Sequence, residues 1–511
     1  MIALLDGTPF LRIHARWRGA ELARLDPVAA QEKVLRDLLR RASGTRFHRD
    51  HRLAKAIGVA DYQSAVPLRH YEDFWNEYWG GRYPVLDDVT WRGRIPLFAN
   101  SSGTSTGRTK HIPVSTAMAA ANRRAAIDLL VHHVANRPAS RILAGRNFML
   151  GGSTALERVA SGVAAGDLSG IAAAGVPWWA RPYFFPSGAL GAIADWEEKT
   201  QRLAEQSLAA NVRSLSGTPS WLLPFFDRLR ALRPGSSRLF DWYPDMEMIA
   251  HGGISFAPYH AHFSELMKGG HAETREVYPA SEGFVALADA GPDDGLRLLV
   301  DNGLFFEFVP LDELSAASPT RHWLDTAEIG VNYALVLTTC AGLWSYILGD
   351  TVRLVSRNPP RLVVTGRISW GLSAFGEHLI GEEIDKAVAA AAAEVKAGVA
   401  DFTVGPVHSI DSGRSGHHLY VVEFVRRLTE GECCRFARAI DRELAALNKD
   451  YAEHRAGDFG MRPPEVRAVA AGSFARWMKA RGKLGGQNKV PRVIADASAF
   501  QAAVAAIDCR D

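Results

Sequence analysis

Residues 100–111 read Asn-Ser-Ser-Gly-Thr-Ser-Thr-Gly-Arg-Thr-Lys-His, a run in which six hydroxyl side chains surround two glycines before Lys110. Glycines let the backbone approach a ligand closely, hydroxyls add hydrogen-bond donors, and a lysine adds positive charge. Such a loop suits a polyphosphate. The Walker A pattern is excluded because only three residues separate Gly103 from Gly107, and Arg108 follows. The alternative is a flexible surface loop rich in Ser, Thr and Gly.

The composition is that of a large folded protein. The chain has 511 residues, 47% of them hydrophobic and 23% charged, with a formal net charge of +3 and four cysteines. At about 150 residues per domain, this length predicts about three units. The balanced charge argues against a nucleic-acid or membrane partner, and so few cysteines argue against a disulfide framework. We expect a cytoplasmic protein, because neither a basic leader nor an apolar run of about 20 residues is present. We also expect a monomer.

Local patterns predict a multi-domain α/β (α+β) fold. Asp26-Pro27 should begin a helix, because aspartate caps free N–H groups and proline suits the first turn. Residues 296–300 and 304–309 should pair as a hairpin through Asp301-Asn302-Gly303, since Asn-Gly favours tight turns. Strand-like runs continue through residue 365. We therefore predict an N-terminal domain over residues 1–365, containing a β-barrel-like subdomain at about 295–365, and a small α+β domain over residues 366–511.

Five segments resemble one family and occur in its order. Ser101–Lys110 resembles the phosphate-binding signature of the adenylate-forming superfamily, which includes acyl-CoA synthetases, adenylation domains and luciferases. Val277–Gly283 (VYPASEG) and Gly342–Leu354 (GLWSYILGDTVRL) resemble the Tyr-x-x-Ser-Glu and Tyr-x-x-Gly-Asp motifs of the Gretchen Hagen family of acyl acid amido synthetases. Residues 299–310 are similar to its bacterial-type members, and Gly485–Arg492 is similar to its lysine-bearing segment. The resemblance spans essentially the whole chain.

The resemblance implies activation of a carboxylic acid by ATP. The acid would become an acyl-adenylate with release of pyrophosphate, and an amine, expected to be that of an amino acid, would then take the acyl group as an amide. A carboxylate resists direct attack because it is anionic and oxide is a poor leaving group, whereas a phosphate leaves readily. The enzyme must therefore hold three phosphates and align two anions. ATP and Mg²⁺ are the implied cofactors.

The resemblance also assigns roles to single residues. Glu282 would hold Mg²⁺ and Asp350 the ribose hydroxyls, while Tyr278 and the pair Gly252-Gly253 would flank adenine. Arg367 would contact ribose or phosphate near a hinge between domains. The remaining nucleotide contacts would come from the phosphate loop and from the serine that precedes Glu282: Ser101, Ser102, Gly103, Thr104, Ser105 and Ser281. Where the family often has arginine, this chain has Ile347.

Lys489 is the lysine that we expect to be catalytic, delivered by a mobile C-terminal domain to the carboxylate and α-phosphate. Lys483 is the competing candidate, because the wider superfamily often places its lysine in a Gly-Lys pair. Both lie in a basic segment, residues 462–492, which would otherwise be a solvated face. The pair His260 and His262 has spacing for a metal on a strand, but no third ligand is apparent.

Two other functions stay open from the sequence. The acyl group could pass to a thiol of coenzyme A or a carrier protein, because only the second half-reaction differs. A non-catalytic nucleotide-binding protein could also keep the fold, although intact Ser101, Glu282, Asp350 and Lys489 argue against it. Aromatic residues near 178–185 could line the acyl pocket or belong to the core.

Overall fold

The computed structural model describes residues 4–102, 109–186, 188–291, 294–314, 316–368, 372, 374–375, 377, 379–408, 416–455, 461–484 and 489–508. Three predicted phosphate-loop residues, Gly103, Thr104 and Ser105, lie outside these ranges.

The described residues form both helices and strands throughout. The helices are α1 (Thr8–Ala23), α2 (Pro27–Arg41), α3 (Arg46–Asp50), α4 (Val59–Ala65), α5 (Tyr71–Phe74), α6 (Thr116–Asn136), α7 (Leu168–Ala174), α8 (Ala189–Ala192), α9 (Trp196–Ser207), α10 (Pro219–Leu232), α11 (Leu239–Trp242), α12 (His260–Met267), α13 (Gly381–Glu394), α14 (Glu430–Leu447), α15 (Lys449–Arg455), α16 (Ser473–Ala480) and α17 (Ala497–Asp508). The strands are β1 (Leu97–Ser102), β2 (Thr109–Val114), β3 (Arg146–Met149), β4 (Leu156–Ala160), β5 (Val163–Gly166), β6 (Phe184–Phe185), β7 (Val212–Gly217), β8 (Met248–Gly252), β9 (Glu273–Ala280), β10 (Gly283–Leu287), β11 (Leu296–Leu298), β12 (Leu304–Pro310), β13 (Asn332–Thr339), β14 (Tyr346–Arg357), β15 (Pro360–Arg367), β16 (Val399–Val407), β17 (His417–Phe424) and β18 (Glu465–Val469). The predicted α/β class is confirmed.

The strands assemble into sheets of four, eleven and three strands within the described ranges. The orders are β2-β1-β5-β4, then β12-β13-β14-β15-β11-β10-β9-β8-β7-β3-β6, and β16-β17-β18. In the large sheet, β7, β8 and β9 are parallel neighbours, so their carboxyl ends lie at one edge. Crevices at such edges are where open α/β sheets bind ligands. None of the described helices combines the length and apolarity that crossing a membrane requires.

Two compact units account for the described residues. One is drawn from Met1–Thr218, Arg228–Gly253 and Gly270–Val363, and the other from Pro219–Asp227, Ile254–Gly269 and Val364–Asp511. The second unit therefore takes a short segment that directly follows Gly253 in the sequence, together with the C-terminal residues.

Helix α2 shows how helices of the first unit pack on its sheets, because its buried face enters the apolar cluster that includes residues of β12 and β13. Helix α2 begins where predicted, since the Asp26 carboxylate accepts from Val28 N at 2.9 Å and from Ala29 N at 3.2 Å. Its buried face includes Leu35 and Leu38. Helix α2 also buries Gln31, whose side-chain amide donates to the carbonyls of Val300 and Leu304 at 2.7 and 2.9 Å and so fixes the helix against the large sheet.

The predicted hairpin between residues 296–300 and 304–309 is wrong. Strand β11 pairs with β10 and β15, whereas β12 pairs with β13 at the edge of the sheet. The Asn-Gly step serves a tertiary contact instead of a hairpin turn. The Asn302 amide donates to the carbonyl of Ala121 at 3.0 Å, and its oxygen accepts from Arg124 at 2.9 Å. Gly303, with φ of +74°, lets the chain pass Cys340 closely.

The other predicted strands of this region are present. Within the strand-like runs predicted up to residue 365, residues 346–357 form the single long strand β14, which pairs with β13 across an irregularity between Ala334 and Val336. The segment predicted to be barrel-like supplies strands β11 to β15 at one end of the eleven-stranded sheet. Two signature residues, Tyr346 and Asp350, lie on β14 and are carried by this end of the sheet.

Candidate active site

The predicted phosphate loop joins the two strands of an antiparallel hairpin. Ser101 pairs with Lys110, and Ser102 pairs with Thr109, so the strands run up to the last described residue on each side. His111, next to Lys110 on β2, fixes the hairpin to neighbouring residues. The His111 backbone N–H donates to the Tyr71 hydroxyl at 2.9 Å, and the His111 ring stacks on Tyr83 with 4.6 Å between centroids.

Lys110 lies at the loop end of this hairpin, one residue after Thr109, and its ammonium has two close neighbours. Its Nζ lies 5.2 Å from the centroid of the Tyr71 ring and 4.0 Å from Glu72 Oε1. Burial raises the pKa of Glu282, and the Lys110 ammonium is near enough to oppose that rise slightly. Lys110 is therefore partly buried and has two close neighbours, which a fully solvated residue at the end of a loop would not have.

Ser281 and Glu282 form the connection between β9 and β10. Ala280 pairs with Gly283, so these two residues alone turn the chain, and both are buried. Gly283 has φ of +154°, and a Cβ there would meet Leu304 Cδ2 at 2.9 Å. A larger residue would be strained at this φ and would press on the Leu304 side chain, which explains why glycine follows Glu282. The Glu282 carboxylate is buried in this turn, whereas the sequence alone would predict an exposed side chain.

The two signature motifs are joined by a reciprocal pair of hydrogen bonds. The Tyr278 hydroxyl donates to Asp350 Oδ2 at 2.6 Å, and the Tyr346 hydroxyl donates to Glu282 Oε1 at 3.1 Å. Each motif thus supplies a tyrosine that orients the carboxylate of the other. Three strands separate β14 from β9 in the sheet order, yet these four buried side chains meet.

Burial controls the ionisation of this cluster. It raises the pKa of Glu282, with Asp350 adding to the rise, while the hydrogen bond from Tyr346 and the charge of Lys110 oppose it. Burial also raises the pKa of Tyr346 well above its usual value, and the neighbouring Glu282 adds to that effect. Tyr346 therefore stays a hydrogen-bond donor at any physiological pH. A cation close to Glu282 would favour its ionised form.

The glycine pair lies at the end of β8, on the strand next to the one that carries Tyr278. Gly252 pairs with Val277 on the neighbouring strand, and a Cβ on Gly252 would lie 2.1 Å from the Val277 carbonyl oxygen. Gly253 follows with φ of +85°, a conformation that is unfavourable for residues other than glycine.

Glu276 is a residue of this site that the sequence reasoning missed. It lies two positions before Tyr278 on β9 and therefore on the same face of the strand. It pairs in register with the buried His251 of β8, at the carboxyl end of the parallel strands. Burial raises the pKa of the Glu276 carboxyl to about 7. In the sequence, Glu276 is a single glutamate among strand-forming residues, and such a pattern does not indicate a site.

The remaining predicted site residues belong to the second unit. Arg367 is the last residue of β15, and Lys489 is a half-buried residue in the segment before Val490. Lys483 lies just beyond α16, where its backbone N–H donates to the Met478 carbonyl at 2.8 Å. The basic segment is not one solvated face, because Arg492 is buried and Arg467 pairs with Asp508 at 2.7 Å.

Two minor expectations change. His260 and His262 lie on helix α12, not on a strand, so the i, i+2 spacing directs them to different faces. In the described ranges, no group of three or more His, Cys, Asp or Glu side chains is placed to hold a metal ion. The aromatic residues proposed for an acyl pocket differ in exposure: Trp178 and Trp179 are exposed, whereas Phe185 is buried.

The fold first defines the class of protein. The structure superposes on 2-hydroxyisobutyryl-CoA ligase in the postadenylation state in complex with 2-HIB-AMP, with a TM-score of 0.61 and 16% identity over 93% of this chain and 91% of that one. It superposes on the AtGH3.15 acyl acid amido synthetase in complex with 2,4-DB with a TM-score of 0.80 and 20% identity, covering 99% and 97% of the two chains. The chain therefore has the fold of adenylate-forming enzymes.

Sequence comparison gives the family. The GH3 family N-terminal, central and C-terminal domains match residues 18–190, 297–367 and 382–498. The chain belongs to the GH3 (Gretchen Hagen) family. One curated relative is indole-3-acetic acid-amido synthetase GH3.8 of Oryza sativa subsp. indica, 25% identical over 549 residues, with 91% of this chain and 88% of the relative covered. Another is indole-3-acetic acid-amido synthetase GH3.4 of Arabidopsis thaliana, 24% identical over 561 residues, with 92% and 89% covered. Both are plant proteins, so the expectation of a bacterial-type member is not borne out.

Proposed function

We propose that this protein joins a carboxylic acid to the amine of an amino acid at the expense of ATP. The observation that carries the proposal is the reciprocal Tyr278–Asp350 and Tyr346–Glu282 pairing. It brings two buried carboxylates together near Lys110 in a chain of the GH3 family.

The reaction has two steps. An oxygen of the acid attacks the α-phosphorus of ATP, the bond to the β-phosphate breaks, and pyrophosphate leaves. The amine nitrogen then attacks the acyl carbon, the carbon–oxygen bond to AMP breaks, and the nitrogen loses a proton. Bringing two anions together in the first step requires fixed positive charge and alignment, which account for most of the catalytic effect in such sites.

Each part of the nucleotide has a matching group in this chain. Tyr278 and the Gly252-Gly253 backbone would flank adenine, with the Glu276 carboxylate on the same strand face. Asp350, already oriented by Tyr278, would accept from the ribose hydroxyls. Phosphate contacts would come from the hairpin loop, from the turn and from the end of β15: Ser101, Ser102, Gly103, Thr104, Ser105, Ser281 and Arg367.

The residues present fit Mg²⁺ as well as ATP. Mg²⁺ prefers oxygen ligands and is commonly held by one or two carboxylates together with substrate phosphates. Glu282 is a buried carboxylate fixed by the Tyr346 hydroxyl and destabilised in its charged form by burial, so a cation there would compensate it. When bound, Mg²⁺ would neutralise phosphate charge. The Tyr346 hydroxyl would keep the Glu282 carboxylate in place to bind the ion.

Lys489 would complete the site during adenylation by stabilising charge between the carboxylate and the α-phosphate. We place it on a mobile domain over residues 366–511, which would bring the lysine to the nucleotide for the first step.

The test is acid-dependent pyrophosphate release, followed by product analysis. The purified protein is incubated with ATP, Mg²⁺ and a panel of aryl and alkyl carboxylic acids, and pyrophosphate is measured. Amino acids, simple amines and coenzyme A are then added separately, and product masses are determined. The proposal expects pyrophosphate with at least one acid and an amide with at least one amino acid. A thioester without an amide would transfer the second step to a thiol, and no pyrophosphate with any acid would refute acid activation.

A further inference from the structure

A buried ion cluster lies three residues after Lys489 in the second unit. The Arg492 side chain is 4% exposed. Its guanidinium donates to Asp401, to the hydroxyl of the fully buried Tyr259, and to the Phe402 carbonyl at 3.0 Å. The guanidinium also lies 4.4 Å from the centroid of the Phe402 ring. Arginine suits such a site because its planar fork can satisfy several acceptors at once.

The backbone around Arg492 is fixed as firmly as its side chain. Val404 N–H of β16 donates to the Arg492 carbonyl at 2.8 Å, and Ile494 N–H donates to the Val404 carbonyl at 2.9 Å. These bonds place Val493 beside Val404 as a short parallel bridge at the edge of the three-stranded sheet. Val490 packs against an apolar cluster that contains Phe474 and Trp477. The segment after Lys489 is thus anchored at two points.

These anchors restrict where Lys489 can lie. Lys489 precedes Val490 by one residue and Arg492 by three, and three extended residues span about 10 Å. Lys483 has a different support, because its backbone is bonded to the end of α16 and Gly482 adopts φ of +64° there. Loss of the Arg492 side-chain contacts would therefore loosen one of the two anchors that follow Lys489, whereas the support of Lys483 by α16 would be unchanged.

We propose that Arg492, held by Asp401 and Tyr259, is a positioning residue that fixes Lys489 for the adenylation step. This inference rests on the proposed function. Arg492 acts through Lys489 and does not touch substrate, so its loss should slow adenylation without weakening ATP binding. Transfer of an acyl group that is already activated should not require it.

The two half-reactions of the intact protein separate this role from a general loss of structure. ATP–pyrophosphate exchange reports adenylation, and amide formation from a chemically prepared acyl-adenylate reports transfer. Arg492→Lys should lower the exchange rate at least tenfold and Tyr259→Phe at least threefold, with KM for ATP and the transfer rate within twofold of wild type. The matched control is Tyr451→Phe, because Tyr451 donates to Asp441 at 2.7 Å and Asp441 accepts from Arg455 at 2.7 Å in a similar cluster of the same unit. Tyr451→Phe should leave both rates unchanged.

A double-mutant cycle tests whether Arg492 acts through Lys489. Adding Arg492→Lys to Lys489→Ala should lower exchange by less than a further twofold, whereas adding it to Lys483→Ala should lower exchange as much as in wild type. Independent losses with Lys489→Ala, or equal losses in both half-reactions, would overturn the inference. If Arg492→Lys does not fold, Tyr259→Phe decides, and wild-type exchange in that variant would overturn it. Absence of exchange in the wild-type protein would instead refute the proposed function.

Discussion

Replacing Glu276 with glutamine should stabilise the protein at pH 8 and leave its stability at pH 4 nearly unchanged. Burial raises the pKa of this carboxyl from its usual 4.5 to about 7. The folded state therefore binds a proton more tightly than the unfolded state does. The resulting penalty is absent below pH 4.5, grows between pH 4.5 and 7, and is constant above pH 7. Its full size is about 3 kcal/mol, since each pH unit is worth about 1.4 kcal/mol.

Thermal unfolding of the nucleotide-free protein across this pH range measures the effect. An unfolding entropy of about 2 cal/mol/K per residue converts about 3 kcal/mol into a rise of about 3 °C for a chain of this length. Glu157 is an exposed glutamate on β4, so Glu157→Gln is the matched control and should not shift the melting temperature. Equal melting temperatures for Glu276→Gln and wild type at pH 8, or a larger gain at pH 4 than at pH 8, would refute the reasoning. Carboxyl groups whose pKa is raised by burial are concentrated at functional sites. The position of Glu276 on the same strand face as Tyr278 is consistent with this tendency.

Three further substitutions test the site. Asp350→Asn should weaken ATP binding about tenfold to a hundredfold, because a hydrogen bond to a charged acceptor contributes about 1.5–3 kcal/mol; an unchanged Kd by calorimetry would remove Asp350 from the ribose. Tyr346→Phe removes the donor that orients Glu282, so the Mg²⁺ concentration for half-maximal pyrophosphate release should rise severalfold; an unchanged Mg²⁺ profile contradicts that role. Lys489→Ala should lower adenylation at least a hundredfold with ATP affinity retained, whereas Lys483→Ala should not. The reverse pattern would make Lys483 the catalytic lysine.

Local features of the fold could be predicted from the sequence because local interactions determine them. Helix α2 begins at Pro27 because the Asp26 side chain, one residue earlier, caps it. The Asn-Gly step at 302–303 failed as a hairpin signal because the Asn302 side chain is used by residues of α6, far away in sequence. A turn propensity carries no information about such distant partners.

The partners of the site residues were likewise not predictable from local sequence. Motif resemblance identified Glu282 and Asp350, but not that each is oriented by the tyrosine of the other motif. In both motifs the tyrosine precedes the acidic residue by four positions, Tyr278 before Glu282 and Tyr346 before Asp350. That shared spacing could have suggested related roles. The crossed partners could not be predicted, because they depend on how strands far apart in the sheet order bring their side chains together.

Transfer of oxygen from the carboxylic acid to AMP tests most directly whether the acid becomes an acyl-adenylate. The protein is supplied with ATP, Mg²⁺, an amino acid and a carboxylic acid labelled with ¹⁸O in both carboxyl oxygens, and the products are analysed by mass spectrometry. Attack of the carboxylate on the α-phosphorus predicts one ¹⁸O in AMP, one in the amide and none in pyrophosphate. Label in inorganic phosphate with formation of ADP, or an amide formed with unlabelled AMP, would contradict it.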